Sequence, residues 1–255
     1  MASPQQTVLL MEAGSGGDTL MAALRGPSHI AIIMDGNRRW AQARNLRGAA
    51  GHRAGADRVR PVAEACANRG IETLTLFGLS TENLERPRSE VRLLMQLLRR
   101  LLRTQLDALM KNDIRLRIVG DRGRFDPDLQ TLMVESETAT QHNGGLTLVI
   151  AVSYGGRWDI VQASRALAVD VAAGRLTPED IDDKRFSERL SLAGLPSPDL
   201  CIRTGGDHRI SNFLLWDFAY TELFFTDTFW PDFGEGELDR AIASYACRDR
   251  RFGRR

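Results

Sequence analysis

Apolar residues recur along this chain in two rhythms. Short β-rich runs occupy residues 30–34, 71–77, 114–119, 146–152, 200–203 and 222–225; each has the length of a strand, and 114–119 alternates with period two. Helix-length segments lie between them, at about 53–69, 88–111, 127–142, 156–173 and 178–193. Strands alternating with helices predict an α/β fold, a single domain whose mostly parallel central sheet is flanked by helices. There is no internal repeat and no interdomain linker. Residues 28–255 read as one domain, and 1–27, with Gly14-Ser-Gly-Gly17 and Gly26-Pro27, as a disordered N-terminal tail.

Two segments carry detail. Pro61 falls inside the first long helical segment and is expected to kink it or shift its start. The segment 91–110 holds Leu94, Leu97, Leu98, Leu101, Leu102, Leu106 and Leu109, a stripe wider than one packing face requires. It is either a well-buried helix or the wall of a hydrophobic tunnel.

The ends of the predicted strands carry polar residues that a fold does not need. The run 30–34 stops at Asp35-Gly36-Asn37 and then Arg38-Arg39; 71–77 leads to Gly78-Leu-Ser-Thr-Glu-Asn83 and Arg86. Likewise 146–152 leads to Ser153-Tyr-Gly-Gly-Arg157, and 200–203 to Thr204-Gly-Gly-Asp207 with Arg209 and Ser211 beyond. Parallel sheets bind ligands at the carboxyl ends of their strands, and a helix beginning at about Asn37 would aim free N–H groups at an anion. Arg39, Arg86, Arg203 and Arg209 at one sheet edge make a cleft for polyanions, because guanidinium forks match phosphate oxygens. Asp35 has two readings: the cap of an ordinary turn, or, because a carboxylate repels phosphate unless a cation lies between them, one side of a magnesium–phosphate site.

Composition narrows the classes. A 255-residue chain with 43% hydrophobic residues and net charge +1 describes a globular protein with no bulk basicity for nucleic acid. Lysine occurs only at 111 and 184, so 32 of the 34 cationic side chains are arginine; a GC-rich genome accounts for most of that excess, and only arginines in motifs count. Cys66, Cys201 and Cys247 are scattered without a CxxC pair, which fits reduced thiols in a cytoplasmic protein and neither a disulfide framework nor a zinc site. No stretch approaches the roughly 18–20 apolar residues of a membrane span, and residues 7–11 lack the basic flank of a signal peptide.

Taken together, Met34-Asp-Gly-Asn-Arg-Arg-Trp-Ala41, Gly51-His-Arg-Ala-Gly55, Ser80-Thr-Glu-Asn83, Tyr154-Gly-Gly-Arg-Trp-Asp159 and the run from Arg203 to Trp216 resemble the cis-prenyltransferases, above all the bacterial undecaprenyl diphosphate synthases. The resemblance runs from about His29 to Gly253 with the motifs in family order. It implies that 28–255 is a cis-prenyltransferase catalytic domain with a hydrophobic tunnel, a homodimer. It also implies Mg²⁺-dependent addition of isopentenyl diphosphate to farnesyl diphosphate, with a new cis double bond at each step. The product would be a long-chain polyprenyl diphosphate, a carrier lipid for cell-wall glycans delivered to a membrane that the enzyme touches at most peripherally.

By the same resemblance Asp35 would be catalytic and bind Mg²⁺, with Glu222 as the second metal carboxylate. Gly36, Asn37, Arg38 and Arg39 would hold the allylic diphosphate, with Trp40 and His52 nearby. Ser80, Thr81 and Glu82 would continue the substrate site, and Asn83 would assist proton removal. Arg86, Arg203, Arg209, Ile210 and Ser211 would bind isopentenyl diphosphate. Arg251-Phe-Gly253 resembles a motif that reaches across the dimer. Gly78 occupies a position where short-chain relatives carry a bulky residue, and Leu146 matches a residue near the closed end of long tunnels.

The chain departs from the family pattern at Leu84, a frequent tryptophan, and at Arg47-Gly48, where the family's arginine is shifted by one. Three other readings stand beside this one: a shorter-chain synthase, a non-catalytic partner subunit, and a phosphatase with Asp35 as nucleophile. The last lacks its usual second carboxylate two residues on, where this chain has Asn37. Outside the motifs, His29 reads as a strand-boundary residue, His142 as solvent-exposed and Cys66 as core packing.

Overall fold

The computed structural model describes residues 26–85 and 87–248. Arg86, residues 1–25 of the expected tail and the Arg251-Phe-Gly253 motif lie outside the described residues. In chain order the elements are β1 (His29–Ile33), α1 (Asn37–Ala43), α2 (Gly48–Asn68), β2 (Thr73–Ser80), α3 (Arg88–Lys111), β3 (Arg115–Val119), α4 (Pro127–Thr140), β4 (Thr147–Tyr154), α5 (Gly156–Ala172), α6 (Asp183–Ser187), β5 (Leu200–Arg203), β6 (Glu222–Phe225) and α7 (Glu235–Ala246).

The six strands form one sheet in the order β3-β4-β2-β1-β5-β6, and every pairing is parallel. Every residue of β1 is buried, as a central strand covered on both faces must be. The core falls on the two faces of the sheet. Ile30, Ile32, Leu74, Leu76 and Leu148 join one cluster, and Ala31, Ile33, Val149 and Cys201 the other. β1 has β2 on one side and β5 on the other, so chain connections diverge from it in opposite directions. The crevice at its carboxyl end is where such sheets bind ligands.

All six expected strands are present. β2 starts two residues later than the pattern indicated and runs on to Ser80, through a register shift between Phe77 and Leu79. Pro61 neither ends α2 nor delays its start, which comes at Gly48. The carbonyl that Pro61 leaves without a partner belongs to Asp57, and both residues are exposed, so water can take its place. The helix expected at 178–193 is not continuous. A 3₁₀ turn at Pro178–Asp180, closed by a capping box from Thr177, comes first, and Asp182 then caps the short α6 through the N–H of Arg185. α7 is a helix the pattern did not single out. His29 is a boundary residue but fully buried, joined to the Pro196 carbonyl and the Thr75 hydroxyl; His142 is exposed and Cys66 buried. No described helix is long and apolar enough to cross a membrane.

Candidate active site

β1 ends at Ile33 and the chain turns sharply at Gly36, whose φ of 97° lies in the left-handed region. A Cβ there would sit 2.6 Å from the ring of Phe229, so only glycine fits. The turn points Asp35 into the crevice between β1 and β5. There Asp35 Oδ2 accepts a 2.7 Å hydrogen bond from Arg203 Nη2, and Oδ1 accepts from the N–H of Gly36 at 2.6 Å with Arg39 Nη2 3.3 Å away. The first N–H at this helix start is therefore engaged by the protein's own carboxylate. Burial pushes the Asp35 carboxyl up, but the bonds from Arg203 and Gly36 and the charges of Arg203 and Arg39 outweigh it and hold it below the ordinary aspartate value.

Arg203, the last residue of β5, is 3% exposed. Its guanidinium bonds the carbonyl of Arg209, Ser211 Oγ at 2.7 Å and Asp35. Its Nε is buried and has no partner among the described residues, an orphan donor beside a site lined by cations. Asp207, a turn residue by its sequence, joins the arginines: its Oδ2 lies 2.6 Å from Arg209, 3.5 Å from Arg203 and 3.6 Å from Arg39. Among the described residues the mouth thus holds three arginines cross-linked by two carboxylates.

A cavity of about 620 Å³ opens from this mouth. Its polar end is lined by Asp35, Gly36, Asn37, Arg38, Arg39, His52, Ser80, Asn83, Arg203, Asp207, Arg209 and Ser211. Its apolar end is lined by Val59, Phe77, Gly78, Leu94, Leu97, Leu98, Leu101, Ile150 and Val152. The leucine stripe of α3 thus serves both of its readings: Leu102 and Leu109 are core, while Leu94, Leu97, Leu98 and Leu101 wall the cavity. Leu146, expected near the closed end, is packed in the core away from that wall. α2 comes close to the mouth because Gly55 has no side chain: a Cβ would stand 2.2 Å from Asn37 Oδ1. On the same helix His52 faces the cavity, 3.3 Å from Glu90. Ser80 and Asn83 bond reciprocally, Asn83 N–H to Ser80 Oγ at 3.2 Å and Ser80 N–H to Asn83 Oδ1 at 3.3 Å, which fixes the amide.

Several expected site residues do not line the cavity. The Trp40 indole donates to Asp232 at 2.7 Å under a stacked Arg44. Thr81 donates to Glu82, which also accepts from Asn212 at 2.9 Å, so this pair ties the turn after β2 to the 205–214 loop. Burial raises the Glu82 carboxyl, yet its own backbone N–H together with Asn212, Ser80 and Thr81 brings it below its ordinary value. Ile210 packs into the second core cluster. The Tyr154–Asp159 motif is structural as well, since the Tyr154 hydroxyl donates to Asp159, which also receives Ser191.

Glu222 stands apart from this mouth within the chain. It opens β6 opposite Leu200, at the amino ends of the strands, and pairs with Arg248. Asp35 lies beyond the carboxyl end of β1, roughly 16 Å further along the strand direction at about 3.3 Å per residue. One chain cannot bring both carboxylates to one ion, and among the described residues no group of three or more His, Cys, Asp or Glu can hold a metal. The donor set at the mouth is two half-buried carboxylates, Asp35 and Asp207, each tied to arginines. That suits Mg²⁺, a hard ion commonly bound by one or two carboxylates plus substrate phosphates, and does not form a closed protein cage.

The family model described as putative undecaprenyl diphosphate synthase matches residues 33–253. The chain belongs to the undecaprenyl diphosphate synthase family. Members named ditrans,polycis-undecaprenyl-diphosphate synthase ((2E,6E)-farnesyl-diphosphate specific) include one from Pseudomonas syringae, 55% identical over 89% of this chain and 91% of its own, and one from Salmonella typhimurium, 51% identical over 89% and 90%. Among solved structures, lavandulyl diphosphate synthase from Lavandula x intermedia in complex with dimethylallyl diphosphate superposes with a TM-score of 0.87 at 40% identity, covering 89% of this chain and 98% of that one. A probable undecaprenyl diphosphate synthase from Campylobacter jejuni gives 0.75 at 32% identity over 90% and 100%. This synthase is therefore a prenyltransferase with the family's single α/β domain.

Proposed function

We propose that the chain condenses isopentenyl diphosphate units onto farnesyl diphosphate to build undecaprenyl diphosphate. The observation that carries this reading is continuity: one cavity joins an arginine-lined, anion-binding mouth to a leucine-walled tunnel. The reaction needs both. Two diphosphates have to meet against their repulsion, and a growing hydrocarbon has to be kept from water.

In each cycle the isopentenyl double bond attacks the allylic carbon. The carbon–oxygen bond to the allylic diphosphate breaks, the diphosphate leaves with the electron pair, and the isopentenyl unit loses a proton to form the new cis double bond. Asn37, Arg38 and Arg39 hold the allylic diphosphate, while Arg203, Arg209 and Ser211, with Arg86, hold the isopentenyl one. The unpartnered Nε of Arg203 gains an acceptor when that diphosphate arrives. Asp35 would hold Mg²⁺, which when bound would supply positive charge to the leaving diphosphate. Asn83 is too weak a base to take the proton; fixed by Ser80, it orients the isopentenyl unit so that a diphosphate oxygen accepts it. Electrostatic stabilisation by the preorganised arginines is the largest contribution of the protein.

We further infer a homodimer, a cytoplasmic setting consistent with the free Cys66, Cys201 and Cys247, and peripheral contact with the membrane that receives the product. Incubating the protein with farnesyl diphosphate, labelled isopentenyl diphosphate and Mg²⁺ tests the reaction. Label should enter solvent-extractable lipid in wild type and fail to enter it in excess EDTA; no incorporation by wild type would refute the proposal.

A further inference from the structure

The cavity has one wall whose outer side is unlike the rest of the protein. α3 carries six basic residues and two acidic ones, a net +4 in a chain of net +1. At 3.6 residues per turn, Arg88, Arg92, Arg99 and Arg103 fall within an arc of about 60°, diametrically opposite Leu94, Leu97, Leu98 and Leu101. Arg99 is paired with Asp126, and Arg100, at the edge of the stripe, with Asp57. Arg88, Arg92 and Arg103 are exposed and, among the described residues, have no acidic partner. Met110, 46% exposed, continues the stripe towards the end of the helix.

From this pattern we propose that the outer face of α3 docks on an anionic lipid surface. The proposal rests on the polyprenyl product inferred above. A cavity of about 620 Å³ is of the size that takes a drug-sized ligand, and an eleven-unit tail outgrows it. Docking through α3 places bilayer one helix diameter, roughly 10 Å, from the tunnel, so a tail that outgrows the cavity has apolar solvent close by. The chemistry is that of a basic helix face on negatively charged headgroups, with Met110 as an apolar tip.

The test is sedimentation of the full chain with vesicles of phosphatidylcholine alone or mixed with phosphatidylglycerol, at low and high salt, which requires no substrate. Wild type should bind the anionic vesicles only and lose them in high salt. Each arginine near such a surface contributes about 1 kcal/mol, about fivefold, so a combined R88E/R92E/R103E variant should bind on the order of 100-fold more weakly. Its condensation activity in detergent should persist, which shows that it folds and that the catalytic mouth is intact. Wild type that ignores anionic vesicles, a triple variant that binds as wild type does, or a preference for RNA over vesicles would overturn the proposal. Failure of wild type to form any polyprenyl product would instead overturn the function above, because the vesicle result is read independently.

Discussion

Asp35 Oδ2 and Arg203 Nη2 stand 2.7 Å apart at the carboxyl ends of β1 and β5, a buried guanidinium holding a half-buried carboxylate at the mouth of the tunnel. The pair links the element that would bind metal to the element that would bind diphosphate. Replacing Asp35 by Ala should leave the fold intact and lower kcat by several kcal/mol in transition-state terms, measured as kcat/KM under saturating Mg²⁺. Because Arg203 and Arg39 hold the carboxyl below its ordinary value, Asp35 is ionised throughout the neutral and mildly acidic range. The acid limb of the pH–rate profile should therefore persist unchanged when Asp35 is replaced by Glu, provided activity remains measurable.

Arg203 and Arg209 should separate. Arg203 is 4% exposed at its side chain and has four partners among the described residues, whereas the Arg209 side chain is 62% exposed and among them bonds Asp207 alone. Arg203→Ala should raise the isopentenyl diphosphate KM and also cost about 2 kcal/mol of stability, since it removes a charged donor from Asp35. Arg209→Ala should raise the same KM with an unchanged melting temperature. Equal loss of stability in both variants would contradict the assignment of Arg203 as the hub.

His29 predicts a pH dependence of stability. Burial lowers its pKa from 6.5 to about 4, against the opposing effects of the Pro196 carbonyl and Asp199. The unfolded chain binds a proton that the folded one excludes, so stability is full above pH 6.5 and falls as pH drops towards 4. The contribution is on the order of 3 kcal/mol for a complete traverse. In urea midpoints measured from pH 7.5 to 4.5, His29→Gln should lose less stability than wild type over this window; parallel curves would refute the account.

Gly78 lines the tunnel, and a Cβ there meets Ala151 O at 3.4 Å, Ile150 Cγ2 at 3.5 Å and Val152 Cγ1 at 3.6 Å. These are ordinary contacts, so a larger side chain can start there and has to extend into the passage. Gly78→Leu should shorten the products while the first condensation survives. A product distribution identical to wild type would mean that the tail runs elsewhere.

Much of this arrangement was legible in the residues. The run ending at Asp35-Gly36-Asn37 announced a strand that delivers a carboxylate to a sheet edge, and the arginine at the end of 200–203 did the same. The residues that fall outside the cavity lining do so for physical reasons. Neighbours in a motif need not face the same way: Trp40 and Thr81 sit beside cavity residues yet turn to Asp232 and Glu82. An aspartate after two glycines, as at Asp207, reads as a turn, and its bridging of three arginines exists only after the loop folds back. For Glu222 a signal was available: it starts a strand and Asp35 follows one, and in a parallel sheet those are opposite ends. The broken helix at 178–193 reflects two successive caps, at Thr177 and Asp182, that apolar periodicity does not register.

The most direct measurement is the mass of the products made by the wild-type chain from farnesyl diphosphate and excess isopentenyl diphosphate with Mg²⁺. The open passage at Gly78 and the gain of roughly 0.8 kcal/mol for each CH₂ drawn from water favour repeated elongation, and the predicted result is a dominant polyprenyl diphosphate of about eleven units. Products that stop after one or two condensations would contradict the tunnel reading and leave a short-chain synthase in its place.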